Sequence, residues 1–148
     1  MKTLYKTAMA VVAVMALTLT SCSEDDSAPV ENNNIPTNSF TWTENGGAQT
    51  VADSAFYDSQ YKTIKAFKGA NMAKFVEVNL SADAPATYPV GSGYAVSYLN
   101  AGSIYAASAG SIVISAKSTT AMSGTITSTG SGAGVTSLNA QFTNIEVR

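Results

Sequence analysis

The chain has 148 residues, a formal charge of −2, one cysteine and no histidine. A chain of this length, near neutrality and with a lone thiol is no disulfide scaffold, and it has no basic footprint for nucleic acid. Without imidazole it also lacks the commonest general base, pH switch and metal ligand, so neither a metal nor a cofactor is expected.

The first predicted element is an address. Lys2 and Lys6 give a basic start, residues 8–19 are almost wholly apolar, and small polar residues lead to Cys22. This is the layout of a secretory signal peptide over 1–21, and the apolar run falls short of the roughly 20 residues a membrane-spanning helix needs. Leu19-Thr20-Ser21-Cys22 resembles the bacterial lipobox. The resemblance implies cleavage before Cys22 and acylation of its sulfur, which makes Cys22 an anchor point. Ser23, Glu24, Asp25 and Asp26 follow. They resemble the acidic export signal of Bacteroidetes-type lipoproteins, implying a protein anchored by lipid in the outer membrane and facing the cell exterior. Acidic residues that merely keep a tether solvated would carry the same charge. The stretch 22–38, with Pro29, Pro36, an Asn run and four acids, reads as a lipidated, disordered tether.

Residues 39–148 read as one all-β domain, a single antiparallel β-sandwich with a small β-barrel as the alternative. Phe40-Thr41-Trp42-Thr43 alternates apolar and polar, and Asn45-Gly46-Gly47 offers a hairpin turn. A turn on Asn45-Gly46 sets Phe40 opposite Val51; one on Gly46-Gly47 sets Trp42 there. Further strands are predicted at 61–67, 75–80, 94–99, 103–107, 111–116, 124–128 and 137–147, separated by Gly- and Asn-containing turns. Ala-Gly-Ser-Ile occurs at 101–104 and again at 109–112, as successive turns of one meander. Acids and bases balance at six each from Ser39 onward, and between Ala84 and Ile145 only Lys117 is charged. That half must meet water through hydroxyls and amides, which leaves few groups for acid–base work.

Several segments also resemble a family. They are Thr87-Tyr88-Pro89-Val90-Gly91, Gly110-Ser111-Ile112-Val113-Ile114-Ser115, Met122-Ser123-Gly124-Thr125-Ile126-Thr127 and Ala140-Gln141-Phe142-Thr143-Asn144-Ile145. The series is similar to that of small Bacteroidetes surface-lipoprotein domains of unknown function. Ile126 stands where those carry an aromatic, and Gln141 where their closing Gly falls. The resemblance implies a β fold and a surface address, with no catalytic residues to carry over.

Candidate sites are few. Asp53 and Asp58 are the nearest carboxylate pair, and glycosidase chemistry needs two carboxyls across a cleft. Five positions apart on a continuous strand, they point to opposite faces, as solvated turn residues would. Lys62, Lys65, Lys68 and Lys74 cluster around the strand at 61–67, where they read as protection of a sheet edge or as an anion patch. Tyr94 and Tyr98 flank Val96 on one strand face, and Tyr105 follows. With Trp42 they are the candidate ligand-contacting aromatics, against the competing reading of a core stripe. Asp26-Ser27-Ala28 and Asp53-Ser54-Ala55 resemble a Bacteroidetes O-glycosylation acceptor, which implies Ser27 and Ser54 as modification sites. The expected function is non-catalytic: a cell-surface lipoprotein binding a glycan or a partner outer-membrane protein. The alternatives are a carrier holding a small apolar ligand inside a barrel and, more remotely, a carbohydrate-active hydrolase.

Overall fold

The computed structural model describes residues 38–91 and 93–148. The expected signal peptide at 1–21, the expected lipidation site Cys22, the expected export signal Ser23 to Asp26, Ser27 and the expected tether up to residue 37 lie outside the described residues. Ten strands follow one another: β1 (Ser39–Glu44), β2 (Gln49–Val51), β3 (Ser54–Asp58), β4 (Thr63–Lys68), β5 (Lys74–Asn79), β6 (Ala86–Pro89), β7 (Ala95–Asn100), β8 (Ser103–Lys117), β9 (Ala121–Ser131) and β10 (Ser137–Val147). A short 3-10 turn at Ala70–Met72 links β4 to β5.

The expected sandwich is corrected to its alternative. Seven strands close on themselves in the order β10-β3-β4-β5-β7-β8-β9 and back to β10, forming a barrel. Closure is made by a short parallel pair, Phe56 beside Glu146 and Tyr57 beside Val147, which joins what would be the free edges of two layers. Bulges let the long strands curl far enough to meet. Register shifts fall between Ala107 and Ala109 and between Ile114 and Ala116 on β8, and between Phe142 and Ile145 on β10. Each adds local twist and reverses which side chains face inward. Thus Tyr105 points in before the first β8 bulge and Ile112 and Ile114 after it, all of them buried. The second Ala-Gly-Ser-Ile copy is therefore paired strand directly after a bulge at Ser108, and not a turn. Gly110 sits there at φ 138°, where a Cβ would meet the Thr127 carbonyl.

Two pieces flank the barrel. The β1–β2 hairpin lies along β10, and β6 lies along β8 beyond the end of β7. The hairpin turn has positive φ at Asn45 and Gly46 as its residues suggest, but the pairing is Thr41 with Val51. One extra loop residue moves it a step from both expected registers. The lysine-bearing strand β4 is also not an edge, because β3 and β5 pair with it on either side. Its lysines instead neutralise neighbours, Lys65 to Asp58 at 3.6 Å and Lys68 to Asp53 at 2.5 Å, and Lys74 on β5 pairs with Glu44 at 2.8 Å.

The interior is filled by large side chains, as suits a small barrel. Trp42, Tyr57, Tyr98, Tyr105, Phe40 and Phe142 are each no more than 1% exposed. The tyrosines carry their hydroxyls to partners, as buried phenols must. Tyr105 Oη lies 3.1 Å from Ser128 Oγ, which donates to the Leu138 carbonyl at 2.9 Å. At one rim Glu44 Oε1 accepts from Tyr98 Oη at 2.6 Å, Lys74 Nζ at 2.8 Å and Trp42 Nε1 at 3.3 Å. At the other, Asp83 Oδ2 accepts from Tyr57 Oη at 2.6 Å and pairs with Lys117 Nζ at 2.9 Å. Each rim thus ends in one carboxylate gathering the polar tips of the core.

Candidate functional site

Period-two alternation builds a polar outer face on the strands whose inner face is most apolar. On β1, Phe40 and Trp42 are buried while Thr41 and Thr43 turn outward; on β10, Leu138, Ala140 and Phe142 are buried while Asn139 and Gln141 are exposed. On β9 the buried positions are Met122, Gly124, Ile126 and Ser128, and Thr125 and Thr127 are exposed. Register then aligns these side chains across strands. One row runs Gln49, Thr43, Asn139, Thr127, Ser111; its neighbour runs Val51, Thr41, Gln141, Thr125, Val113.

The two rows enclose a surface trough of about 380 Å³ over β2, β1, β10 and β9. Its floor is backbone at Trp42, Ile126 and Ala140, whose side chains point into the core. Its walls are Thr41, Thr43, Gln49, Thr125, Thr127, Asn139 and Gln141, with no charged residue among them. Within the trough, Gln49 Nε2 donates to Thr41 Oγ1 at 3.1 Å. Each amide and hydroxyl both donates and accepts, so the lining can match a neutral polyhydroxyl surface from either side. Its lining holds no acidic, basic or thiol side chain.

A second depression, of about 620 Å³, lies at the Asp83 rim between Ser59, Pro85, Ser118 and Val147. Its polar groups are already committed. The hydrogen bond from Tyr57, followed by the contact with Lys117, holds the Asp83 carboxyl below its ordinary range. Burial, and then the bond to Asp83, pushes the Tyr57 phenol upward. The pair seals the barrel end.

The candidate aromatics fall inside or between elements. Trp42, Tyr98 and Tyr105 are core, and Trp42 packs edge-on against Tyr98 with centroids 6.0 Å apart. Tyr94 is half-buried and stacked on Tyr88 at 4.7 Å, where the two fill the split between β6 and β7. Asp53 and Asp58 stand at opposite ends of β3, about 17 Å apart at strand rise, whereas glycosidase carboxyls stand about 5–9.5 Å apart. Each is tied locally. The Lys68 ammonium and then the Gly69 amide hold the Asp53 carboxyl below its usual range, while Asp58 accepts from the Tyr61 amide at 3.2 Å. Ser54 is exposed at the start of β3.

The sequence did not single out Phe56, Phe67 and Phe75, which stand outward in a row across β3, β4 and β5. Their rings are stacked at 6.0 Å and 4.9 Å, too close to lie side by side in one plane. The Arg148 guanidinium covers the outer face of Phe56 at 4.2 Å. Phe67 is thus stacked with both neighbours and Phe56 lies between Phe67 and Arg148, and the row ties β3, β4 and β5 together on their outer side. The signal for these residues lay in alternation: Ile64 and Ala66 take the inward parity of β4, and Val76 and Val78 that of β5. The trough residues were also missed singly, although the stretch from 84 to 145, charged only at Lys117, announced a neutral polar face for the part that β9 and β10 supply.

In comparisons with known proteins, no family model matches the chain, no curated protein is similar to it, and no solved structure matches it.

Proposed function

We propose that the chain is a non-catalytic glycan-binding module, carried to the outer membrane by a lipid on Cys22 and presented on the cell exterior. The observation that supports this most is the trough. It is a concave surface lined only by hydroxyl and amide side chains, on a face from which charge is missing. Ligand sites owe orientation and specificity to a few convergent polar groups, and neutral ones select against charged ligands, whose desolvation they cannot repay. Glycans are the surface polymers whose chemistry mirrors such a lining.

A glycan array probed with the detergent-purified full chain tests the reading. Neutral glycans are expected to bind, and Asn139→Ala with Gln141→Ala to weaken them about tenfold for each pair of hydrogen bonds lost. Retention of full binding in the double variant would move the site elsewhere, and a blank array would remove the reading.

A further inference from the structure

Resting on the glycan reading, we infer that the trough takes a linear, extended, uncharged glycan lying across the strands, with successive sugars read by successive strands. The geometry behind this is the row Gln49, Thr43, Asn139, Thr127 and Ser111, one side chain from each of β2, β1, β10, β9 and β8. Neighbouring strands are about 4.8 Å apart, so the four trough-lining members span about 14 Å. That pitch is close to the length of one sugar ring in an extended chain. A ligand along this row meets a hydrogen-bonding side chain at every step.

The second row strengthens the case for a track rather than a point. Thr41, Gln141 and Thr125 stand beside Thr43, Asn139 and Thr127, two positions along each strand, so each of β1, β10 and β9 offers a pair of side chains. Val51 and Val113 bound this row at either end. A branched or globular sugar would use one pair and leave the others facing water; a linear chain uses all three. Charge enters through exclusion. From Ala84 to Ile145 only Lys117 is charged, and it is paired with Asp83 at the barrel rim. Glu44, at the end of β1, is engaged by Lys74, Tyr98 and Trp42. No group lining the trough can neutralise a uronate or a sulfate.

The test is a length series. Cello-, laminari- and manno-oligosaccharides of one to six sugars are titrated calorimetrically into the full chain, with alginate oligomers as the anionic control. Affinity for at least one neutral series should rise several-fold per added sugar through three or four sugars and then level off, with alginate failing to bind. Thr125→Val and Thr127→Val remove hydroxyls without changing side-chain shape. With circular dichroism confirming the fold, each should weaken the longer oligomers several-fold and reduce the gain in affinity per added sugar. Binding that is as tight for one sugar as for six, or equal binding of alginate, overturns the track while leaving a glycan site in place. Absence of binding to every series, with a blank array, overturns both readings.

Discussion

At the scale of single residues, Glu44 does the most with one atom. Its Oε1 receives the tips of Tyr98, Lys74 and Trp42, so the end of β1 is bound to β5 and β7 across the barrel mouth. Burial raises this carboxyl, but the three donors together outweigh it and hold it below its ordinary 4.5. The unfolded chain therefore takes up the proton first as acid is added. The contribution is whole above pH 4.5 and is lost as pH falls through the lower folded-state value. Glu44→Ala strands three donors and should cost about 1–3 kcal/mol in urea unfolding at neutral pH. Glu44→Gln, which keeps an acceptor, should cost less and flatten the acid limb of the stability curve. Tyr98 gives the alkaline counterpart. Burial, then its bond to Glu44, raises the phenol from 10.0 to about 12, so its contribution is complete below pH 10 and disappears as pH rises toward 12. Ultraviolet titration should show Tyr98 ionising only as the barrel opens. Asn45 is a second clamp. Its Oδ1 accepts from the Thr136 and Ser137 amides at 2.7 and 3.2 Å, and its Nδ2 donates to the Gly134 carbonyl at 3.0 Å. Asn45→Gly keeps the positive φ and removes the clamp, with an expected loss of about 1–2 kcal/mol by thermal melting.

At the scale of elements, β8, β9 and β10 form the spine, and their fit depends on glycines at close backbone approaches, Gly124 among them. Gly124 faces inward opposite Phe142, and a Cβ there would strike the Val113 carbonyl and the Phe142 ring. Phe142 in turn stacks on Phe40 at 6.1 Å. Gly124→Ala must push Phe142 or β8 aside, and is expected to destabilise by about 1–3 kcal/mol. An unchanged urea midpoint would show that this corner is looser than described. Elements also show what was readable in advance. The span of β10 was legible to the residue, and β4, β5 and β7 within a residue or two, because alternation and turn residues mark them locally. Short β2, β3 and β6 carry too few residues for a pattern to stand out. The bulge at Ser108, with Gly110 just beyond it, imitates a turn, and only pairing with β9 tells the two apart.

At the scale of the whole molecule, sandwich and barrel have nearly the same local grammar of short strands and turns. What separates them is a contact between residues far apart in sequence, the parallel pairing of Phe56 and Tyr57 with Glu146 and Val147. No local pattern encodes that. The proposed ligand face was half-legible for a similar reason. Absence of charge in the C-terminal half foretold a neutral polar surface, but its rows exist only once β1 is laid against β10 and β10 against β9. Of the aromatics that drew attention in the sequence, Trp42, Tyr98 and Tyr105 went inside and Tyr94 half inside, because residues large enough to hold a sugar are also the ones that fill a barrel. Closure through non-local pairs also implies slow folding, on a millisecond-to-second scale. Deleting residues 146–148 should open the barrel, at about 0.5–1.5 kcal/mol for each lost bond. Those bonds include Arg148 N–H to the Tyr57 carbonyl at 2.8 Å and Ser59 N–H to the Arg148 carbonyl at 2.9 Å.

The most direct measurement is a proton–nitrogen correlation spectrum of the full chain, recorded while a neutral linear hexasaccharide from the best-binding series is added. Shifts are expected in the side-chain amides of Gln49, Asn139 and Gln141 and in the backbone amides of Thr41, Thr43, Thr125 and Thr127, with Tyr88, Tyr94 and the Asp83 rim unmoved. Shifts centred on Tyr94 or Asp83, or a spectrum that no neutral glycan changes, would contradict the trough as the ligand site.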